Sequence, residues 1–212
     1  MMLAFSQTAA VILAAGTSSR MSHGRNKLLL PLGEKTVLGH VLEAALASRA
    51  RPVVLVLGHQ APEVRAQFQP YLSTPGLLLV ENPDFARGQS TSMQAGLRVL
   101  LALSEEQRPQ GVLFLLGDQP LITPNLLDAL IELGAQSGKR IVLPLYNGQR
   151  GNPVSFSLDL APELLQVRGD EGGRGLLKRY PDEIATLEVA EVAAHFDVDT
   201  WEAYQRILAQ FA

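Results

Sequence analysis

The stretch AAVILAAGTSSRMSHGRNK, residues 9–27, joins an apolar run to a loop of small polar residues and cations, and raises the question of which anion that loop binds. Its apolar beginning, AAVIL, predicts a strand. The loop that follows is rich in Gly, Thr and Ser and carries the cations Arg20, Arg25 and Lys27 but no carboxylate. Such a loop can wrap backbone N–H groups around phosphate oxygens, and Arg and Lys add charge. We therefore expect an anion site here; the alternative is a loop whose cations face water.

Short apolar runs alternate with segments of helical period along the rest of the chain, which is typical of βα units and a mostly parallel sheet. Runs such as VVLVL and VLFLL show no alternation, so helices should cover both faces of the sheet. The pattern predicts a three-layer α/β/α sandwich. The predicted strands are AAVIL near Val11 and residues 52–57, 77–80, 111–116, 140–144 and 153–156. The predicted helices are residues 36–48, 61–71, 90–103, 124–137 and 158–166.

Composition narrows the class of protein. With 212 residues, 47% hydrophobic and 18% charged, the chain suits one globular domain, and we expect residues 1–212 to form it. No apolar run approaches the roughly 18 residues of a membrane helix, and a secretory signal is not indicated, so we expect a cytoplasmic protein. The absence of cysteine excludes disulfides and thiolate ligands. A net charge of −3 gives no general attraction to nucleic acid or membrane, so an anion must bind at a local site.

A carboxylate follows one of the buried strands directly, in the stretch LGDQP at residues 116–120. In open α/β sheets, ligands bind beyond the carboxyl ends of the strands, where Asp118 should lie. Mg²⁺ commonly takes one or two carboxylates and completes its shell with water and substrate phosphates. Asp118 is therefore a candidate metal ligand, and the alternative is an Asp that only forms a turn. A phosphate loop together with a magnesium carboxylate implies a nucleotide.

The stretch DVDT at residues 197–200 offers a second carboxylate. Asp197 and Asp199 share a face if the segment is extended, and Thr200 can cap a terminal helix. One of the two Asp residues is a candidate second metal ligand. The alternative is that both simply favour the positive end of a helix dipole.

The motifs LAAGTSSRM, KLLLP, LGDQP, GNPV, GDEGGR and DVDT, in this order, resemble the nucleotidyltransferases of the molybdenum-cofactor family, most closely its cytidylyltransferase branch. The resemblance covers nearly the whole chain. It implies a Rossmann-like fold of the nucleotide-diphospho-sugar transferase type. It also implies transfer of a nucleoside monophosphate from an NTP to a phosphorylated acceptor, with Mg²⁺ and release of pyrophosphate.

The same resemblance implies roles for individual residues. In the nucleotide-binding half, about residues 1–144, Arg20 would contact the β and γ phosphates and Lys27 the α phosphate. Arg20, Lys27 and Asp118 would be catalytic, and Asp118 and Asp199 would bind the metal. The base and sugar would lie along Ala14, Ala15, Gly16, Ser90 and Ser92. The acceptor would lie against the part at about residues 145–212, at Gly151, Asn152, Pro153, Asp170, Gly173 and Arg174.

The first loop departs from the family pattern. The stretch RMSHGRNK is two residues longer than usual, with its Gly displaced, so Arg25 is a candidate to share the role of Lys27. His23, in the same insertion, is expected to be an exposed loop residue. The spacing of the remaining histidines, His40, His59 and His195, indicates neither a zinc site nor a catalytic triad.

The expected anion is thus the triphosphate of a nucleotide, and the expected reaction is transfer of CMP from CTP to the phosphate of molybdopterin or molybdenum cofactor. An acceptor phosphate is already an anion, so no general base is expected. The sequence Ala14–Gly16, where guanylyltransferase relatives tend to carry a second Gly, favours cytidine. A guanylyltransferase or a sugar-phosphate nucleotidyltransferase on the same fold is an alternative. Another is a non-catalytic accessory protein that binds molybdenum cofactor. A molybdenum hydroxylase that receives the product is a candidate partner.

Overall fold

The protein is built around a central mixed sheet. The computed structural model describes residues 7–18, 20–21, 26–190 and 196–211. The strands are β1 (Thr8–Ala14), β2 (Pro31–Leu32), β3 (Lys35–Thr36), β4 (Val53–Leu57), β5 (Leu77–Glu81), β6 (Gly111–Leu116), β7 (Ile141–Tyr146), β8 (Gln149–Arg150), β9 (Val154–Ser157) and β10 (Ile184–Val189). The helices are α1 (Val37–Ala47), α2 (Ala61–Gln67), α3 (Gln89–Leu101), α4 (Pro124–Ser137), α5 (Ala161–Leu164), α6 (Arg174–Arg179) and α7 (Trp201–Leu208).

The main sheet has the order β10-β7-β9-β6-β1-β4-β5, with β8 paired to β7. Strand β1 is parallel to β4 and β6, β4 is parallel to β5, and β7 is parallel to β10. Strand β9 is antiparallel to both of its neighbours. The prediction of a mostly parallel sheet is confirmed, and the carboxyl ends of β1, β4 and β6 meet at one edge.

The central strands are buried on both faces, as the unbroken apolar runs predict. In β1, Ala10 and Ile12 pack in one cluster with α1 and α4, including Leu42 and Leu127. The alternate residues of the same strand pack in a second cluster with α3, which includes Leu97. Helices therefore cover both faces, and the three-layer α/β/α architecture is confirmed. None of the helices in the described residues combines the length and apolar character of a membrane-spanning segment.

The structure differs from the prediction in several short elements. The helix expected over residues 61–71 ends at Gln67, and a separate 3₁₀ turn follows at Gln69–Tyr71. Pro70 has no N–H, so the α-helical hydrogen-bond pattern cannot continue through it. The helix expected over residues 158–166 is reduced to α5 after a 3₁₀ turn. Strand β10 was not predicted, since its partly exposed sequence IATLEV includes polar residues and lacks the long apolar run of the central strands.

The chain returns to the sheet edge through its C-terminal segment. Thr200 caps α7, and its hydroxyl accepts a hydrogen bond from the backbone N–H of Ala203 at 3.2 Å, as predicted. The Tyr204 hydroxyl donates to the carbonyl of Pro31 at 2.5 Å. Val198 and Ile207 are buried in the same apolar cluster beside the first loop and β2. This packing brings the aspartates of the preceding segment to the end of β1.

Candidate active site

A cavity of about 760 Å³ opens at the carboxyl ends of β1 and β6. It is built from the first loop, the residues before α3, the end of β6, the loop before α6 and the segment before α7. Nine predicted site residues line it: Ala15, Gly16, Arg20, Lys27, Ser92, Asp118, Asp170, Arg174 and Asp199. One cavity therefore joins residues predicted for the nucleotide, the metal and the acceptor.

The other predicted site residues lie outside the cavity lining in the described part of the chain. Ala14 is buried in the core at the end of β1. Ser90 is buried too, and its backbone N–H donates to the carbonyl of Gly169 at 3.0 Å. Gly173 packs on the ring of Phe156, where an added Cβ would lie 2.4 Å from Cζ. These three residues shape the cavity from behind its surface.

Residues 151–153 also lie outside that lining. They precede β9, whose Val154 pairs with Phe114 near the carboxyl end of β6. The Tyr146 hydroxyl donates to the carbonyl of Asn152 at 2.8 Å, and the backbone N–H of Gly151 donates to the carbonyl of Pro144 at 3.1 Å. The segment is held next to the site edge by bonds to β7.

Local hydrogen bonds anchor the backbone of the first loop around Lys27. Ser18 adopts a left-handed conformation, with φ of 53°, and its hydroxyl accepts a bond from the N–H of Lys27 at 3.2 Å. Asn26 caps the 3₁₀ turn Lys27–Leu29 by accepting from the N–H of Leu28 at 3.1 Å. These bonds fix the base of the Lys27 side chain. Ser19, His23 and Arg25 lie outside the described residues, so the expectation for Arg25 stays a prediction, as does that for His195.

The Lys27 ammonium joins two carboxylates from distant parts of the chain. Its Nζ donates to Oδ2 of Asp118 and, at 2.7 Å, to Oδ1 of Asp199. The Lys27 side chain is only 12% exposed. Arg20 is largely exposed and donates from Nη1 to Oδ2 of Asp199 at 2.7 Å. Asp199 therefore receives both cations of the described first loop, while Asp118 receives Lys27.

These contacts shift two ionisation equilibria. Burial on its own would lower the pKa of Lys27, but the charges and hydrogen bonds of Asp118 and Asp199 raise it above 10.5. Burial would likewise raise the pKa of Asp199, but Lys27 and Arg20 hold it below 3.8. Both groups are therefore charged at neutral pH.

The donor set fits one divalent cation. Asp118 and Asp199 both hydrogen-bond one ammonium nitrogen, so their oxygens already converge on the position of a single positive charge. No group of three or more His, Asp or Glu side chains suited to a metal occurs in the described ranges. Two carboxylates are nonetheless what Mg²⁺ commonly takes when phosphates and water complete its shell.

The two neighbouring aspartates have different partners. Asp199 faces the first-loop cations, whereas Oδ1 of Asp197 accepts a bond from Nε2 of Gln119 at 2.6 Å. Both aspartates line the cavity. Sequence reasoning left the choice between them open, because an extended segment places both on one face.

The opposite wall is formed by two interlocked segments. Gly88 has φ of 109°, and an added Cβ would lie 2.6 Å from the backbone carbon of Gly169. The N–H of Gln89 donates to Oδ1 of Asp170 at 3.0 Å, so this carboxylate caps α3 as well as lining the cavity. This interlock brings Arg87 and Arg174 to the same cavity.

Sequence reasoning did not identify Arg87 as a site residue. Arg87 and Gln89 follow β5, whose carboxyl end lies at the same sheet edge as those of β1 and β6. That position after a parallel strand was the signal available in the sequence.

Comparison with known proteins agrees with this geometry. The family model described as MobA-like NTP transferase domain matches residues 10–184. Purine catabolism protein PucB of Bacillus subtilis (strain 168) is 32% identical over 201 residues, covering 93% of this chain and 94% of that protein. Molybdenum cofactor cytidylyltransferase of Escherichia coli (strain K12) is 27% identical over 190 residues, covering 90% of each chain.

A solved structure has the same fold over nearly its whole length. Rv0371c of Mycobacterium tuberculosis H37Rv, crystallised as a manganese complex, superposes with a TM-score of 0.73 at 32% identity, covering 96% of this chain and 98% of that one. The family match spans most of the chain and includes the first loop and the LGDQP turn. With the cavity, its cations and its paired carboxylates, this match shows that the chain belongs to the MobA-like NTP transferase family and is a nucleotidyltransferase.

Proposed function

We propose that the protein transfers CMP from CTP to the phosphate of molybdopterin or molybdenum cofactor and releases pyrophosphate. The observation that carries the proposal is the single cavity in which Lys27 and Arg20 meet Asp118 and Asp199, with Arg174 on another wall. Its volume of about 760 Å³ is in the usual range of small-molecule sites. The likeness to the E. coli cytidylyltransferase supports the choice of nucleotide and acceptor.

In the proposed reaction, an oxygen of the acceptor phosphate forms a bond to the α-phosphorus of CTP. The bond from that phosphorus to the bridging oxygen of pyrophosphate breaks, and pyrophosphate leaves with the electron pair. Arg20 would bind the β and γ phosphates, and Lys27 would neutralise charge at the α phosphate. Asp118 and Asp199 would hold Mg²⁺, which supplies further neutralisation of the phosphate oxygens when bound.

The acceptor would occupy the wall formed by the interlocked segments. Arg87 and Arg174 are exposed cations that line this part of the cavity, and an arginine can clamp two phosphate oxygens at once. In this proposal the chain is one domain whose first part binds the nucleotide and whose remainder binds the acceptor. Asp199 is the exception, since it comes from the C-terminal part and contacts Lys27.

The choice of cytidine depends on the resemblance and on the E. coli relative. The carbonyl of Ala15 accepts a bond from the N–H of His59 at 3.2 Å, and its methyl faces Gly58. Because the Ala15 methyl faces Gly58, the base would contact the backbone of this segment. Backbone N–H and C=O groups would then select the base by hydrogen bonds to its edge. We further propose a cytoplasmic location and delivery of the product to a molybdenum hydroxylase.

The test is pyrophosphate release from each of CTP, GTP, ATP and UTP with Mg²⁺, in the presence and absence of molybdopterin. We expect release with CTP only when the acceptor is present, and a product heavier than the acceptor by one cytidylyl group. Release with GTP in place of CTP would overturn the cytidylyl assignment. Release with CTP and a sugar phosphate, but not with molybdopterin, would overturn the acceptor. No release with any NTP, together with tight binding of molybdenum cofactor, would indicate the accessory protein.

A further inference from the structure

The side chain of Gln119 is fully buried although it is polar. Its Nε2 donates to Oδ1 of Asp197 at 2.6 Å. Its Oε1 is buried and has no hydrogen-bond partner among the residues that the structure describes. A buried amide with an unpaired oxygen opposes folding, and an apolar side chain of the same size would not. We therefore look for the contribution of this amide in the segment that it bonds through Asp197, and not in the stability of the core.

Gln119 holds the segment that carries Asp199. The backbone N–H of Val198 donates to the carbonyl of Asp118 at 2.9 Å, and the Val198 side chain is fully buried. One backbone bond and one side-chain bond thus join residues 118–119 to residues 197–198. On the cavity side of this junction, Asp118 and Asp199 both contact Lys27.

This junction becomes important when substrate binds. In the structure, the side chain of Asp199 is bonded by Lys27 and Arg20. The proposed function directs both of these cations to the triphosphate, so they would leave Asp199 as the nucleotide enters. The bond that the Val198 N–H donates to the Asp118 carbonyl, the bond that Gln119 donates to Asp197 and the packing of Val198 would then hold the segment in place.

The neutral charge of Gln119 suits this position. The amide supplies a hydrogen-bond donor beside Asp197 without adding negative charge to a cavity that already contains Asp118 and Asp199. A glutamate of the same shape would place one carboxylate against another, which disfavours the charged form of both.

We infer that Gln119 is a positioning residue that sets Asp199 opposite Asp118 through its bond to Asp197. The inference rests on the proposed nucleotidyl transfer, in which those two carboxylates hold the metal. Gln119 itself does not line the cavity and would touch neither substrate. Its effect should therefore appear in metal affinity and in kcat more than in the KM for CTP.

The first test is Gln119→Met, which keeps the volume but removes the donor. Mn²⁺ affinity is measured with CTP present and acceptor absent, alongside the unfolding midpoint and steady-state kinetics. We expect a folded protein with Mn²⁺ affinity and kcat lowered by roughly 10–100-fold, as for other residues that orient metal ligands, and a KM for CTP changed by less. Gln136→Met is the matched control, since Gln136 also donates to a carboxylate, that of Glu132 at 2.9 Å, on the exposed face of α4. It should change none of these quantities.

The second test reverses the hydrogen bond. Gln119→Glu alone should weaken Mn²⁺ binding, because a carboxylate at position 119 cannot donate to Asp197 and repels it, so the segment that carries Asp199 is no longer held in position. Adding Asp197→Asn restores a donor and an acceptor with the same total charge, so the double variant should return to within about threefold of the wild type. Normal Mn²⁺ affinity in Gln119→Met, or a double variant as weak as Gln119→Glu, would overturn the inference. Mn²⁺ binding needs no turnover, so failure of the wild type to release pyrophosphate would refute the proposed function separately.

Discussion

The ammonium nitrogen of Lys27 lies 2.7 Å from Oδ1 of Asp199, although 172 positions separate the two residues in the chain. The same nitrogen also donates to Asp118. Lys27 therefore occupies the place between the two carboxylates that a divalent cation would take in the proposed reaction. Binding of the metal requires this ammonium to move, and the α phosphate of the nucleotide is its proposed new partner.

Removing this ammonium should free the carboxylates for metal. In Lys27→Met, we expect Mn²⁺ to bind roughly tenfold more tightly in the absence of nucleotide, because a positive charge in direct contact with both ligands is gone. The same variant should lose most of its transfer rate, since no cation then neutralises the α phosphate. Titration with Mn²⁺, followed by electron paramagnetic resonance, measures the first effect. Lys35→Met, which removes a lysine paired with Glu43 away from the site, should leave Mn²⁺ binding unchanged. Weaker Mn²⁺ binding in Lys27→Met would contradict the competition.

Neutralising Asp118 should abolish transfer and spare the fold. Asp118→Asn keeps the side-chain size, and the backbone carbonyl that accepts from Val198 is unaffected. We expect kcat to fall by at least about 100-fold, because the loss of one metal carboxylate weakens charge neutralisation at the reacting phosphate. The unfolding midpoint should shift by only a few degrees. The control is Asp159→Asn, an exposed carboxylate 3.8 Å from Arg140. Near-normal turnover in Asp118→Asn would show that the metal assignment is wrong.

The contact between α3 and the sheet should tolerate no side chain at Gly96. A Cβ added there would lie 2.4 Å from Cγ1 of Val11 and 3.2 Å from Cγ2 of Val56. Gly96→Ala should therefore destabilise the protein by roughly 1–3 kcal/mol through overpacking. Gly175→Ala, in α6, is the matched control. Its nearest atom would be Oε2 of Glu171 at 3.9 Å, so the higher helix propensity of Ala should leave stability unchanged or slightly raised. Chemical denaturation compares the two, and equal stability would refute the steric account.

The hydrogen bond between Tyr71 and Glu43 should be visible in the titration of the phenol. The Tyr71 hydroxyl donates to Oε1 of Glu43 at 2.6 Å, and this bond to a carboxylate raises the pKa of Tyr71 to about 12. The negative charge disfavours the phenolate, so Glu43→Gln should lower the pKa of Tyr71 toward 10. Phenolate absorbance as a function of pH measures it, and Tyr71→Phe identifies the signal. Tyr146, whose pKa is raised to about 12 by burial, should titrate as before. An unchanged Tyr71 in Glu43→Gln would contradict the bond.

The buried strands could be read directly from the sequence. Strands β4 and β6 are unbroken runs rich in Val, Leu and Phe. Without polar residues on either face, such strands are stable only in a sheet that is covered on both faces. Strands near one edge of the sheet are harder to predict from the sequence. The antiparallel direction of β9 and the existence of β10 depend on pairing with β7, which leaves little trace in the sequence of either strand.

Part of the candidate site could be predicted in the same way. Gly16, Arg20 and Lys27 follow β1, Asp118 follows β6, and all four residues line the cavity at the carboxyl ends of these strands. The residues of the opposite wall could not be ranked. Whether Ser90 or Ser92 faces the cavity is decided by the packing of α3, and the structure places only Ser92 in its lining.

The α/β class, the mostly parallel sheet and the strand ends at which charged residues gather can be predicted from the sequence, because burial and chain direction produce a periodic pattern in neighbouring residues. Which distant charges meet depends on how remote segments pack together. The bonds of Lys27 to Asp199 and of Gln119 to Asp197 depend on the docking of α7 and the segment before it against the first loop. That docking is driven by apolar burial at Val198, Tyr204 and Ile207. The hydrophobic effect is non-directional, so these residues do not show in the sequence which segment they pack against.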